Sequence, residues 1–138
     1  MYYRIIVVIL MTFCCFGCGP KLPYEVVKVS GTLTHQGKPL EKFSLVFTPK
    51  EPAEGIPSSA TTTTGGKFEA FYTDNVKGVQ VGKSTVTIAY QGDRDLTSLA
   101  PSKVPDEYAA LVKKYGFGTQ GLEVVIDKST SSLNIDLP

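Results

Sequence analysis

The sequence predicts an all-β sandwich of about seven strands, with one short helix in a long insertion. Three observations predict this fold class. From Val26 onward, apolar and polar residues alternate with period two, as they do in strands that bury one face. The alternating segments are short and are separated by turn-forming residues, which is typical of two packed sheets. Only one segment has helical spacing instead.

Six of the seven segments have a clear apolar phase, and their polar residues occupy the opposite phase. In chain order, the residues expected to face inward are Val27, Val29 and Leu33; Phe43, Leu45 and Phe47; Phe68, Ala70 and Tyr72; Val86, Ile88 and Tyr90; Leu122, Val124 and Ile126; and Leu133, Ile135 and Leu137. The seventh segment, Ala60 to Thr64, is threonine-rich and weakly apolar, which predicts an edge strand.

Turn-forming residues separate these segments. Gly65 and Gly66 predict a tight hairpin turn, because a type I′ turn needs positive φ at both central residues. The segment from Asp127 to Ser131 is expected to join the last two strands as another hairpin. Lys50 to Ser59 contains two prolines and is expected to be a loop that cannot pair.

One segment, Pro105 to Gly116, breaks the β pattern. Proline suits the first turn of a helix, acidic residues follow it, two lysines come near the end, and glycine can end the helix. An apolar stripe with helical spacing is formed by Tyr108, Leu111, Val112 and Tyr115. We expect this helix to lie against the sandwich, inside an insertion from Gln91 to Gly121.

The first 17 residues have the layout of a secretory signal peptide: one positive charge at Arg4, an apolar run, and small residues at its end. The run from Ile5 to Cys18 is 14 residues long, whereas a helix that crosses a bilayer needs about 20 apolar residues. The sequence therefore predicts an export signal, with a retained signal anchor as the open alternative.

All three cysteines, Cys14, Cys15 and Cys18, lie at the end of this leader, so the domain itself can form no internal disulfide. The Gly17-Cys18-Gly19 sequence resembles the cleavage region of bacterial lipoproteins. That resemblance implies that Cys18 is lipidated and becomes the first residue of the mature protein. Residues 18–25 would then form the lipidated cysteine and a tether, and residues 26–138 the domain.

Charge excludes one class of partner. The chain has 14 Lys and Arg and 13 Asp and Glu, and removing Arg4 with the leader leaves 13 of each sign. A protein that binds nucleic acid by neutralising phosphates needs a basic surplus. We therefore expect no nucleic-acid partner.

Several motifs together resemble one bacterial family. They are Val29-Ser-Gly-Thr-Leu-Thr-His-Gln-Gly-Lys-Pro-Leu40, Phe43-Ser-Leu-Val-Phe-Thr-Pro49, Gly66-Lys-Phe68, Gly82-Lys-Ser-Thr-Val-Thr-Ile88 and, later, Pro105-Asp-Glu-Tyr108 and Gly121-Leu-Glu-Val-Val125. Their order and spacing are similar to those of the carboxypeptidase-regulatory-like, transthyretin-like domain of small bacterial lipoproteins. The resemblance implies an immunoglobulin-like sandwich of prealbumin type that is usually non-catalytic.

The sequence contains no recognisable catalytic, metal or cofactor motif. His35 is the only histidine, and its place before a glycine turn favours a plain turn residue. Asp93 and Asp95 could contribute oxygen ligands to a calcium site, but Arg94 between them argues for a solvated loop. Asp106 and Glu107 are explained by the start of the helix.

Two aromatic residues are candidates for a binding surface. Phe71 is out of phase with its inward neighbours, and Phe117 lies between two glycines; an exposed apolar patch at either would mark a partner site. We expect a lipid-anchored, extracytoplasmic, non-enzymatic module that interacts with an envelope protein or glycan. The alternatives are an extracytoplasmic hydrolase or its accessory domain, which would need a cleft at His35 or at the acidic residues above, and a carbohydrate-binding module.

Overall fold

The computed structural model describes residues 22–52, 54–92 and 103–138. The leader, Cys18, Asp93 and Asp95 lie outside the described residues. In chain order the strands are β1 (Val26–Val27), β2 (Ser30–His35), β3 (Lys38–Pro39), β4 (Phe43–Glu51), β5 (Ser58–Thr61), β6 (Lys67–Glu69), β7 (Phe71–Thr73), β8 (Val76–Lys77), β9 (Val79–Gln80), β10 (Gly82–Tyr90), β11 (Leu122–Ile126) and β12 (Ile135–Leu137). Helix α1 (Asp106–Tyr115) lies between β10 and β11.

Two main sheets form the fold. The larger has six antiparallel strands in the order β11-β10-β4-β5-β7-β8. The smaller is centred on β2, which pairs with β12 in parallel and with β3 and β6 in antiparallel orientation. A separate short ladder joins β1 to β9. The predicted all-β sandwich with one short helix is confirmed.

Inward residues of both sheets pack into one connected core. Phe43, Leu45 and Phe47 of the larger sheet are fully buried, as the alternation predicts. The Phe47 ring lies 6.1 Å, centroid to centroid, from Phe68 on the smaller sheet. The remaining core residues include Val29, Leu33, Ala60, Ala70, Val86, Ile88, Ile126, Ile135 and Leu137.

Helix α1 closes one end of the sandwich, and its predicted inner face is confirmed. Leu111 and Tyr115 are buried in the core cluster. The Tyr108 ring meets Phe43 edge-on at a centroid distance of 5.2 Å and lies 5.8 Å from Tyr90. Such aromatic pairs add stability beyond the area that they bury.

None of the residues that the structure describes forms a helix long and apolar enough to cross a bilayer.

One extended segment, Lys67 to Thr73, contributes a strand to each sheet. β6 and β7 are separated only by Ala70, and β6 pairs with β2 in the smaller sheet while β7 pairs with β5 and β8 in the larger. The Ala70 N–H donates to the carbonyl of Val29, and its own carbonyl accepts from the N–H of Gly78. The chain therefore changes sheets at Ala70.

Two expectations about the middle of the chain are wrong. The segment from Ala60 to Thr64 is not an edge, because β5 lies between β4 and β7. The segment from Lys50 to Ser59 is not wholly unpaired, because β4 continues to Glu51 and β5 begins at Ser58. The threonines suit a strand, and strand pairing extends into both ends of the proline-containing segment.

The expected hairpin at Asp127 to Ser131 is also wrong. β12 does not pair with β11; it crosses to the smaller sheet and pairs in parallel with β2. The Leu133 N–H donates to the Ser30 carbonyl at 2.8 Å. A side chain at Gly31 would overlap the Leu133 carbonyl oxygen, so the missing Cβ is what allows this close approach.

Replacing Phe43 by alanine tests the aromatic end of the core. We expect Phe43→Ala to lower the free energy of unfolding by about 3–5 kcal/mol, as is usual for a buried phenylalanine. Urea unfolding of the purified protein measures it. Phe117→Ala is the matched control, since Phe117 is 64% exposed, and a loss of similar size in both variants would contradict this account of the core.

Asp136 predicts a loss of stability in acid. Its carboxylate accepts hydrogen bonds from the Thr34 hydroxyl at 2.6 Å and the Gly37 N–H at 3.0 Å; these bonds, with the nearby His35, lower the pKa of Asp136 below its ordinary value. Stability from a depressed carboxyl pKa is present above the unfolded pKa, about 3.9, and is lost as pH falls through the folded pKa.

We therefore expect Asp136→Asn to lower the melting temperature at neutral pH and to reduce its fall between about pH 5 and pH 2. Melting curves at a series of pH values measure this. Asp74→Asn serves as the control, because Asp74 is exposed and has no such bonds. A pH profile of Asp136→Asn that parallels the unmodified protein would count against this role.

Candidate functional site

A cleft of about 660 Å³ opens beside Phe71, where β5 and β6 part. This volume lies within the range of about 300–1,000 Å³ that is common for small-molecule sites. Its polar lining comes from Ser59, Thr61, Thr63, Lys67, Glu69 and Asp74, and Phe71 supplies an aromatic ring.

The cleft lies where one residue pair, Thr61 with Glu69, is missing from a β-ladder; we call this position the open rung. Ala60 of β5 pairs through its backbone with Leu45 of β4. Because backbone groups alternate in direction along an antiparallel strand, those of Ser59 and Thr61 point away from β4. Ser59 pairs there with Phe71. In the same register Thr61 would pair with Glu69, but this pair is missing from the ladder, although Glu69 belongs to β6, whose other edge pairs with β2.

The ladder closes again beyond the gap. The Thr63 N–H donates to the Lys67 carbonyl at 2.8 Å, and the chain turns between them through Gly65 and Gly66, whose φ angles are 77° and 68°. Both glycines have positive φ, as predicted, but the turn comprises the three residues Thr64–Gly66, so it is one residue longer than the predicted type I′ turn. The strands that it joins separate after a single hydrogen-bonded rung, so the expected hairpin is interrupted by the cleft.

Phe71 is held in place by its cross-strand neighbour. It is 37% exposed, and Lys77, directly opposite in β8, places its Nζ atom 5.7 Å from the ring centroid. The same Nζ donates to both carboxylate oxygens of Glu69, at 2.9 and 3.1 Å. The cation thus orients an aromatic ring and a carboxylate that both line the cleft.

Charges at the cleft are balanced. Glu69 and Asp74 carry negative charges in its lining, Lys67 carries a positive one, and Lys77 neutralises Glu69 from outside. In the part of the chain that the structure describes, no three histidine, cysteine or acidic side chains come together as a metal site would require. The lining therefore offers donors and acceptors of both kinds without a net field.

The other predicted surface residue lies elsewhere. Phe117 is 64% exposed in the segment that follows α1 and does not line the cleft. Sequence reasoning singled out Phe71 by its phase but missed Lys67 and Glu69. The Gly65-Gly66 turn is the one signal that could have brought Glu69 opposite Thr61 in register.

His35 and Glu107 meet in a second, smaller hollow. It has a volume of about 240 Å³ and is also lined by Tyr108. The His35 Nδ1 lies 2.9 Å from the Leu137 carbonyl oxygen, so this nitrogen is the donor. Burial raises the pKa of Tyr108 above its ordinary value, and Glu107 contributes through its charge and a hydrogen bond.

This hollow contains a histidine and a carboxylate but lacks the nucleophile that the hydrolase alternative requires. Its lining contains no serine or cysteine. Ser30 lies at the opposite end of β2 from His35, and Ser84 is buried in β10. Asp74 lines the other cleft, and the exposed Asp106 does not line the hollow.

Scans and searches of protein-family models, curated proteins and solved structures found no match for this chain.

Phe71→Ala should leave the protein folded. We expect the free energy of unfolding to fall by about 1–2 kcal/mol, because the ring is partly exposed and its contact with the lysine contributes only about 0.5–1 kcal/mol. Urea unfolding measures this beside Phe43→Ala. A cost equal to that of Phe43→Ala would show that Phe71 is a core residue and not a surface one.

Proposed function

We propose that this protein is an exported, lipid-anchored, non-enzymatic β-sandwich module that binds a protein or glycan of the cell envelope. The observation that carries the binding role is the cleft beside Phe71, a ligand-sized opening with an exposed aromatic ring and polar groups of both signs. Polar groups that converge around an apolar contact are what a recognition site needs.

The anchor is proposed at Cys18. It follows from the signal-like leader and from the resemblance of Gly17-Cys18-Gly19 to lipoprotein cleavage regions. We likewise propose that the chain belongs with the carboxypeptidase-regulatory-like domains of small bacterial lipoproteins. One acyl chain binds a membrane only marginally, at about 0.8 kcal/mol per buried CH₂, whereas two or three chains hold firmly.

The start of the fold suits a tether. Among the residues that the structure describes, Tyr24 is the first with a side-chain hydrogen bond to the domain, since its hydroxyl donates to the Glu54 carbonyl at 3.0 Å. Leu22 and Pro23 before it are exposed. The proposed tether, residues 18–25, would therefore meet the domain at Tyr24 and act as a short proline-containing spacer.

Metabolic labelling with an alkyne fatty acid tests the anchor. We expect the unmodified protein to take up the label and to partition into the membrane fraction, and we expect Cys18→Ser to lose the label completely. The Cys14→Ser, Cys15→Ser double variant is the matched control and should label normally. No label on the unmodified protein, or equal label on Cys18→Ser, would refute the lipid anchor.

A further inference from the structure

We propose that the cleft beside Phe71 is a binding site for a neutral carbohydrate, with the open rung between Thr61 and Glu69 as its hydrogen-bonding floor. This inference rests on the proposed function and names the ligand class for the same cleft. It follows from four features: free backbone groups, hydroxyl side chains, an exposed ring and balanced charge.

The missing Thr61–Glu69 pair gives the cleft its hydrogen-bonding capacity. The register that joins Ser59 to Phe71 and Thr63 to Lys67 directs an N–H and a C=O from each of Thr61 and Glu69 into the gap. Backbone polar groups need partners, which are water when the cleft is empty. A ligand with several hydroxyl groups can replace that water, because each hydroxyl both donates and accepts.

The ring supplies the complementary contact. A sugar ring has C–H groups on its faces and hydroxyl groups on its rim, so it can stack on an aromatic ring while its rim forms hydrogen bonds. Phe71 lines the cleft and is 37% exposed, so part of its ring surface is open to a ligand. The Glu69 carboxylate, oriented by Lys77, is an acceptor for hydroxyl donors beside it.

Charge balance selects a neutral ligand. Lys67 and Lys77 match Glu69 and Asp74 in number, so neither a phosphorylated nor a strongly basic ligand gains a net attraction. A polyhydroxylated, uncharged molecule makes use of such a lining, because it needs many local donors and acceptors and no overall field.

The closed ends of the gap argue against an added polypeptide strand. Strand addition requires a free sheet edge along which several residues can pair. The gap is one rung long and is bounded by the Ser59–Phe71 pair on one side and the Thr63–Lys67 hydrogen bond on the other. A compact ring-sized group fits such an opening, whereas an extended chain would have to break one of its two ends.

Binding of the full-length lipidated protein in detergent to immobilised oligosaccharides tests the inference. The probes are neutral gluco-, manno-, galacto- and N-acetylglucosamine oligosaccharides, with heparin, polygalacturonate and a panel of unstructured peptides as the other arms. We expect a neutral oligosaccharide to bind, and Phe71→Ala and Ser59→Tyr, which fills the cleft, each to weaken that binding by about tenfold or more. Phe117→Ala is the matched exposed-aromatic control and should bind normally.

Melting curves of each variant confirm that it is folded before its binding is compared. Absence of neutral oligosaccharide binding, or equal binding by Phe71→Ala, would overturn the carbohydrate assignment. A Phe71-dependent signal confined to the peptides or to the acidic glycans would overturn it too, but would leave the proposed envelope-binding role standing. Loss of every Phe71-dependent signal would remove both.

Discussion

The structure depends on one strand that belongs to two sheets. The hydrogen bonds of Ala70 to Val29 on one side and from Gly78 on the other tie the two layers together at a fully buried residue. β6 pairs with β2 through one edge, and along its other edge it forms no continuous ladder with β5. The same crossing brings Phe68 to Phe47 in the core and opens the cleft on the surface.

The cleft is therefore a consequence of how the core is closed, and not a separate addition to the fold. An antiparallel ladder directs alternate backbone groups to opposite sides, so the missing Thr61–Glu69 pair leaves backbone groups of both residues facing a gap. In a core that would be costly. At the surface, water satisfies these groups, and they remain available to a ligand of matching polarity.

Two other arrangements keep this region in place. The aromatic contacts of Phe43 with Tyr90 and Tyr108 hold α1 over one end of the sandwich. The C-terminal strand closes the other edge of β2, where Gly31 admits the Leu133 carbonyl and Asp136 bonds to Thr34 and Gly37. With both edges of β2 paired, β6 has a stable strand to pair with.

Local pattern in the sequence determined the seven segments, their inward faces, the helix with its buried stripe and the Gly65-Gly66 turn. Each of these depends on spacing between near neighbours: alternation sets which face of a strand is buried, and positive φ at paired glycines sets a tight turn. The exposed phase of Phe71 follows from the same alternation.

Tertiary structure alone decided which strands pair. The crossing at Ala70, the interior position of β5 and the parallel pairing of β12 with β2 join residues that are far apart in the chain, and the alternating pattern is the same whichever partner a strand takes. The cleft arises where β6, which pairs with β2, does not pair with β5. Only their outcome brings Thr61, Glu69 and Phe71 into one site.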